Sequence, residues 1–235
     1  MRKELLMVLL LWGGAELSAQ TIVQQITAVS QGANVSPLEL KEPTGKGNVL
    51  IAMPVVLTPG IRVVKVTDNA PDGSNTYQQI AGASASCANK FVDIWYCENC
   101  KPGATELKFF LSDSAILSVN AFLEVSNLAS SSVVDGSGAH VSDGTASSGG
   151  LEAGPSLTTT AKDFIVARYS SAPPFPTGVT PAAWTHNPSY VYALNAPAGT
   201  YQPTLTGGKD GDNFCMGMAA FKIAAPVAGS QPSKN

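Results

Sequence analysis

Residues 90–111, KFVDIWYCENCKPGATELKFFL, decide how the chain is read. Val92, Ile94 and Tyr96 alternate with Phe91, Trp95 and Cys97, the period of two that a half-buried strand shows. Lys101-Pro102-Gly103 is turn chemistry, because Pro presets φ and Gly permits positive φ. Leu107, Phe109 and Leu111 then alternate on a second strand. The stretch reads as one β-hairpin carrying two of the four cysteines. A hairpin alone is marginal in water, so the remaining chain must cover its apolar face.

Outward from this stretch the same period recurs. Gln20–Val29 reads as a first strand. Asn48–Leu57 is almost continuously apolar, as a strand buried on both faces would be, and Pro54 within it implies a bulge or an edge position. Ile61–Thr67, Thr76–Ala81, Ala115–Leu128, Asp163–Ser170, Ser189–Leu194, Ala198–Leu205 and Asn213–Ile223 complete the strands. Gly82–Asn89 reads as a small-residue loop. Ala129–Thr160 is rich in Ser, Gly, Thr and Ala and reads as long loops with an edge strand. Ala172–Pro188 is a long Pro-rich loop. The pattern predicts an all-β fold: a single antiparallel β-sandwich of about ten strands, disulfide-containing.

Met1-Arg2-Lys3, an apolar run to Trp12 and the small residues Ser18-Ala19 read as a signal peptide over 1–19. The apolar run is shorter than the ~20 residues a membrane span needs. The sandwich occupies 20–224, and 225–235 reads as a disordered tail. The expected location is extracellular or periplasmic, with no membrane span in the mature chain. Net charge is −3 and only 13% of residues are charged, which lacks the basic footprint of a nucleic-acid binder.

Four cysteines in an exported chain favour disulfides. Cys97-Glu98-Asn99-Cys100 is a CxxC, but a Lys-Pro-Gly turn follows it where a redox site has a helix N-terminus. The spacing of Cys87 and Cys215 and the two scattered histidines do not match a zinc site. Cys97–Cys100 with Cys87–Cys215 is the expected pairing; Cys87–Cys97 with Cys100–Cys215 competes with it. Asp68–Asn75 is dense in oxygen donors, and calcium wants six to eight oxygens. The spacing is not that of an EF-hand, and a solvated hairpin turn accounts for these residues. No cofactor is expected.

Lys46-Gly47-Asn48-Val49-Leu50, Val66-Thr67-Asp68-Asn69 followed by Asn75-Thr76-Tyr77, Ile94-Trp95-Tyr96, Phe122–Leu128 and Met218–Lys222 occur in an order that resembles a group of exported bacterial β-sandwich domains. These are jelly-roll or concanavalin-like domains of the kind found in Acidobacteria. The resemblance spans Thr21–Ala224; the cysteines and the Pro-rich loop depart from it. It implies one sandwich and carries no catalytic residue, because no activity is attached to the group.

Asp93, Glu124 and Asp163 are the strand acids a glycosidase would need to pair across a cleft. His140 and His186 are the possible bases, and no G-x-S-x-G elbow is present. Binding is the leading expectation. Phe175, Trp184, His186 and Tyr190 supply ring faces and polar groups that suit a polysaccharide or cell-surface ligand, though large aromatics often serve packing. The alternatives are an extracellular carbohydrate-active enzyme and a subunit that self-associates through an edge strand.

Overall fold

The structure is a computed structural model describing residues 19–143, 149–209 and 213–225. All of the expected signal peptide except Ala19, and the tail from residue 226, lie outside the described residues. The fold is all-β. The first eight strands are β1 (Thr21–Glu39), β2 (Val49–Val56), β3 (Val63–Asp68), β4 (Gln78–Gln79), β5 (Ala85–Cys87), β6 (Lys90–Val92), β7 (Trp95–Cys97) and β8 (Glu106–Ser126). They form one sheet in the order β1-β8-β2-β6-β5, with β3 on β8 and β7 between β2 and β4.

The second half contributes β9 (Val134–Asp143), β10 (Glu152–Ala153), β11 (Leu157–Thr159), β12 (Asp163–Ser170) and β13 (Gly178–Thr180). It continues with β14 (Thr185–Asn187), β15 (Tyr190–Ala196), β16 (Gly199–Tyr201), β17 (Thr204–Thr206) and β18 (Asn213–Lys222). Strands β14-β15-β12-β18-β9 make a five-stranded antiparallel sheet, and two small sheets, β10-β17-β13 and β11-β16, accompany it. Eighteen strands replace the expected ten or so, because several apolar runs are split and the loops hold short strands of their own.

The two large sheets share a core. Val49, Ile51 and Met53 of β2 and Leu123 of β8 pack with Phe164 and Val166 of β12 and Phe221 of β18, all fully buried. Burying a side chain of this size stabilises by about 1.5–3 kcal/mol relative to leaving it in water. A second cluster, around Leu50, Phe109 and Phe122, fills the other face of the first sheet. A third, around Ile165, Tyr169, Trp184 and Met218, fills the outer face of the second. This accounts for the continuous apolar runs: every residue of β2 and of β12 is buried, on one face or the other.

The expected hairpin at 90–111 does not form. Its first half pairs with β2, Leu50 facing Cys97, whereas Leu107–Phe110 lies between β1 and β3, Phe109 facing Ser36 on one side and Val66 on the other. Local alternation fixes that a segment is a strand, not which strand it meets. The turn is real, with Gly103 at φ +89°. It docks on Thr44, whose carbonyl accepts the Gly103 N–H at 2.7 Å. Glu106–Leu111 is the start of β8, which continues without a break to Ser126.

Pro54 produces neither a bulge in β2 nor an edge position. β6 and β7 share one register against β2, and the strand they compose is interrupted at Asp93 and Ile94, opposite Pro54. The Asp93 N–H still reaches the Pro54 carbonyl at 3.2 Å. The missing Pro N–H therefore opens the partner strand rather than bending its own.

One more expected loop contains a strand, and the edge strand expected within Ala129–Thr160 is present at the end of the five-stranded sheet. Gly82–Asn89 holds β5, and its preceding 3-10 turn, Ala81–Ala83, lies against Gly217 of β18. A Cβ at Gly217 would sit 1.8 Å from the Ala83 carbonyl oxygen, so no other residue fits this approach. Ala129–Thr160 holds the ten-residue β9, paired along β18. The segment before it is anchored by Leu128 and Val133, both in the core between the sheets.

Both disulfides follow the preferred pairing. Cys87–Cys215 joins β5 of the first sheet to β18 of the second, and Cys97–Cys100 closes the short loop after β7. Glu98 within that loop accepts the Val133 N–H at 3.0 Å, so the clipped loop holds the crossover between the sheets.

Candidate functional site

The Pro-rich loop does not bring its aromatic residues together. Phe175 is 57% exposed. Trp184 is buried, edge-on to Tyr201 with centroids 6.4 Å apart, within the outer core of the second sheet. His186 on β14 stacks on Tyr169, and its Nε2 lies 3.2 Å from the Tyr169 hydroxyl; burial lowers its pKa. Tyr190 is buried between the sheets and donates its hydroxyl to Gln25 Oε1 at 2.6 Å. The β14–β15 hairpin separates them. Its turn is set by Asn187 Oδ1 accepting the Ser189 N–H at 3.2 Å. Of the four, Phe175 alone is classed as exposed.

The strand acids are held by the chain itself. Glu124 is fully buried and accepts from Gly45 N–H at 2.7 Å, Asn48 Nδ2 at 2.6 Å and Gln24 Nε2 at 2.7 Å. It pins the 43–48 loop to β8. Asp93 accepts from Gln79 Nε2 at 2.9 Å, and its pKa is raised by burial. The Asp68–Asn75 turn is exposed from Pro71 to Ser74, as expected, but it closes on a buried carboxylate: Asp68 accepts from the backbone N–H groups of Ala70 and Asn75, Asn75 Nδ2 and the Tyr77 hydroxyl. Those bonds reach 2.7 Å and fold the loop around the carboxylate. Among the described residues no group of three or more His, Cys, Asp and Glu is placed to hold a metal ion.

Asp163 differs. It is fully buried, and among the described residues neither carboxylate oxygen receives an N–H or a hydroxyl; its polar neighbour is the Asp135 carboxyl. Burial, then the facing carboxyl of Asp135, raises its pKa to about 7. Lys222 approaches Asp135 at 3.7 Å. A single proton shared by the two carboxyls relieves their repulsion.

Two cavities adjoin each other beside the β14–β15 turn, sharing Pro188 and Ser189 in their walls. One, of 330 Å³, has walls of Val29, Val55, Leu57 and Val119, with Phe175 among its lining. Arg168, Ser170 and Ser171 supply its polar atoms, with the carbonyls around them. The other, of 380 Å³, is lined by Gln25, Thr27, Lys41 and Asn187. Neither lining contains an Asp, a Glu or a His.

Arg168 is the unexpected member. It falls in phase with Phe164 and Val166 on β12, so its side chain enters the space between the sheets and is 1% exposed. Its Nε donates to the Met53 carbonyl at 3.0 Å, Nη2 to Val119 at 2.9 Å, and Nη1 to Ser189. Val119 and Ser189 are themselves cavity residues, so the guanidinium ties β8 to the β14–β15 turn at the site. Burial lowers its pKa to about 10, which leaves it charged at neutral pH. The signal was present in the sequence: alternation through DFIVARYS puts Arg168 on the same face as two core residues.

Comparison with protein-family models and with curated proteins finds no match.

Proposed function

We propose that this chain is an exported, non-enzymatic binding domain whose ligand site is the 330 Å³ apolar cavity beside Phe175. The observation that carries the reading is the make-up of the two adjoining cavities. Each has one cationic residue, Arg168 or Lys41, and no acid; Asp93, Glu124 and Asp163 line neither. Hydrolysis of a glycosidic bond needs two carboxyl groups facing one cleft, and these cavities offer none. An apolar pocket with a few convergent polar groups is the usual form of a small-molecule site. Export is supported by the Arg2-Lys3 start with its apolar run, by two disulfides, and by the absence among the described residues of a helix long and apolar enough to cross a membrane. A polysaccharide ligand has less support, because the rings of Trp184 and Tyr190 are buried.

The test is titration with the neutral fluorophore N-phenyl-1-naphthylamine. Saturable enhancement with one site is expected. It should be lost in Val29→Arg, which places a charge at the exposed wall of the cavity. Absence of saturable binding, or binding unchanged in that variant, removes the reading.

A second reading has an observation of its own. Strand β1 pairs along one side only, with β8, which leaves a nineteen-residue outer edge without a strand partner among the described residues. Unpaired edges template association. Size-exclusion over a concentration series tests it: a fixed monomer volume excludes edge-mediated assembly.

A further inference from the structure

We infer that the cavity's ligand is a small amphipathic carboxylate, with its chain on Val55, Val119 and Phe175 and its carboxylate on Arg168 and Ser171. This rests on the cavity being a binding site at all. The argument begins with an incomplete set of partners. A guanidinium has five N–H donors in a fixed planar fork. Three are used, on the carbonyls of Met53, Val119 and Ser189. Carbonyls supply dipoles, not charge, and no carboxylate forms an ion pair with Arg168 among the described residues. Burying a cation costs heavily unless it is paired as well as hydrogen-bonded.

The second observation is independent of the first. Ser171 lines the same cavity, and its buried Oγ has no hydrogen-bond partner among the described residues. A buried hydroxyl without a partner forfeits about 1–3 kcal/mol. One ligand group answers both deficits: a carboxylate accepts from the two remaining guanidinium N–H groups through paired oxygens and also accepts from the Ser171 hydroxyl. The positive character is local, since the whole chain carries −3. Lys41 in the adjoining cavity adds to it, and no acid in either lining opposes it. The walls of Val29, Val55, Leu57 and Val119 set the remainder of the ligand as aliphatic or aromatic hydrocarbon.

The experiment displaces the bound neutral fluorophore at pH 7 and low salt with octanoate and, separately, with octan-1-ol. The wild-type chain should bind octanoate at least tenfold more tightly than the alcohol. Arg168→Met should abolish that preference, and Ser171→Ala should weaken octanoate several-fold while leaving the alcohol unchanged. The comparison of the two ligands on the wild-type protein stands even if the Arg168 variant does not fold. Equal affinity for acid and alcohol overturns the carboxylate and leaves the cavity reading intact. Failure of both to displace a bound fluorophore also overturns it, and failure of the fluorophore to bind removes the underlying site.

Discussion

Glu124 in the first large sheet and Asp163 in the second are both fully buried carboxylates, and the chain treats them differently. Glu124 receives three donors from Gly45, Asn48 and Gln24. Asp68, in the same half of the chain, receives four. Among the described residues Asp163 receives no N–H or hydroxyl donor and faces another carboxyl, while Arg168 on the same strand lies between the sheets without an anion. A buried charge with its full complement of donors is a fastener: it positions a loop. A buried charge left short keeps its free energy available to a proton or a ligand. The first sheet spends its polar groups on its own loops, and β12 in the second does not.

The largest expected effect comes from separating the two halves covalently. Cys87→Ala with Cys215→Ala removes a cross-link spanning 128 residues, which the chain-entropy account values at about 4–5 kcal/mol. Urea unfolding should show that loss, and a loss under 1 kcal/mol would mean that the sheets hold without the link. Next, Glu124→Ala strands three donors and should cost about 3–4 kcal/mol by the same measurement. A cost near zero would break the contrast with the second sheet.

Asp163→Asn should act in the opposite direction and depend on pH. In the folded chain Asp163 titrates at about 7, and in the unfolded chain at ~3.9. Between these values the folded state holds the extra proton, so wild-type stability falls as pH rises from about 4 to 7 and levels off above. The shift sets a ceiling of ~4 kcal/mol, and roughly 2–3 kcal/mol is expected after solvent screening. The variant should match the wild type near pH 4 and melt higher than it near pH 8. Equal melting temperatures at both ends would remove the shared-proton description. The smallest stability effect belongs to exposed Phe175: Phe175→Ala should stay within ~0.5 kcal/mol, yet weaken binding of the neutral fluorophore several-fold.

The fold was legible where burial is two-sided. NVLIAMPVVL and DFIVARYS are continuous because β2 and β12 each have a core on both faces. It was not legible where a strand borrows its environment. Gly136 and Gly138 in β9 look like loop residues, but a Cβ at either position would come within 2.9 Å of Leu157 or 3.2 Å of Pro155. Small residues there make room for the layer above. The hairpin at 90–111 misled for a related reason: the partners of its two halves, β2 for the first and β1 and β3 for the second, all come from earlier in the chain. The aromatic residues of the Pro-rich loop were read by type, and type does not say which side of a turn a ring emerges from. Arg168 was overlooked because a charge inside an apolar strand is ordinarily taken to point outward. Its phase with Phe164 and Val166 said otherwise.

The bridge between Cys87 and Cys215 closes a ring that contains β6 through β17, with β1–β4 outside it. On the export proposed above, the chain would present Cys87, Cys97 and Cys100 to an oxidising compartment before Cys215 arrives. For that interval Cys87 has only wrong partners, the nearer of them ten residues away. The three-residue spacing of Cys97 and Cys100 favours their closing on each other first, which leaves Cys87 to be paired by the last strand of the fold.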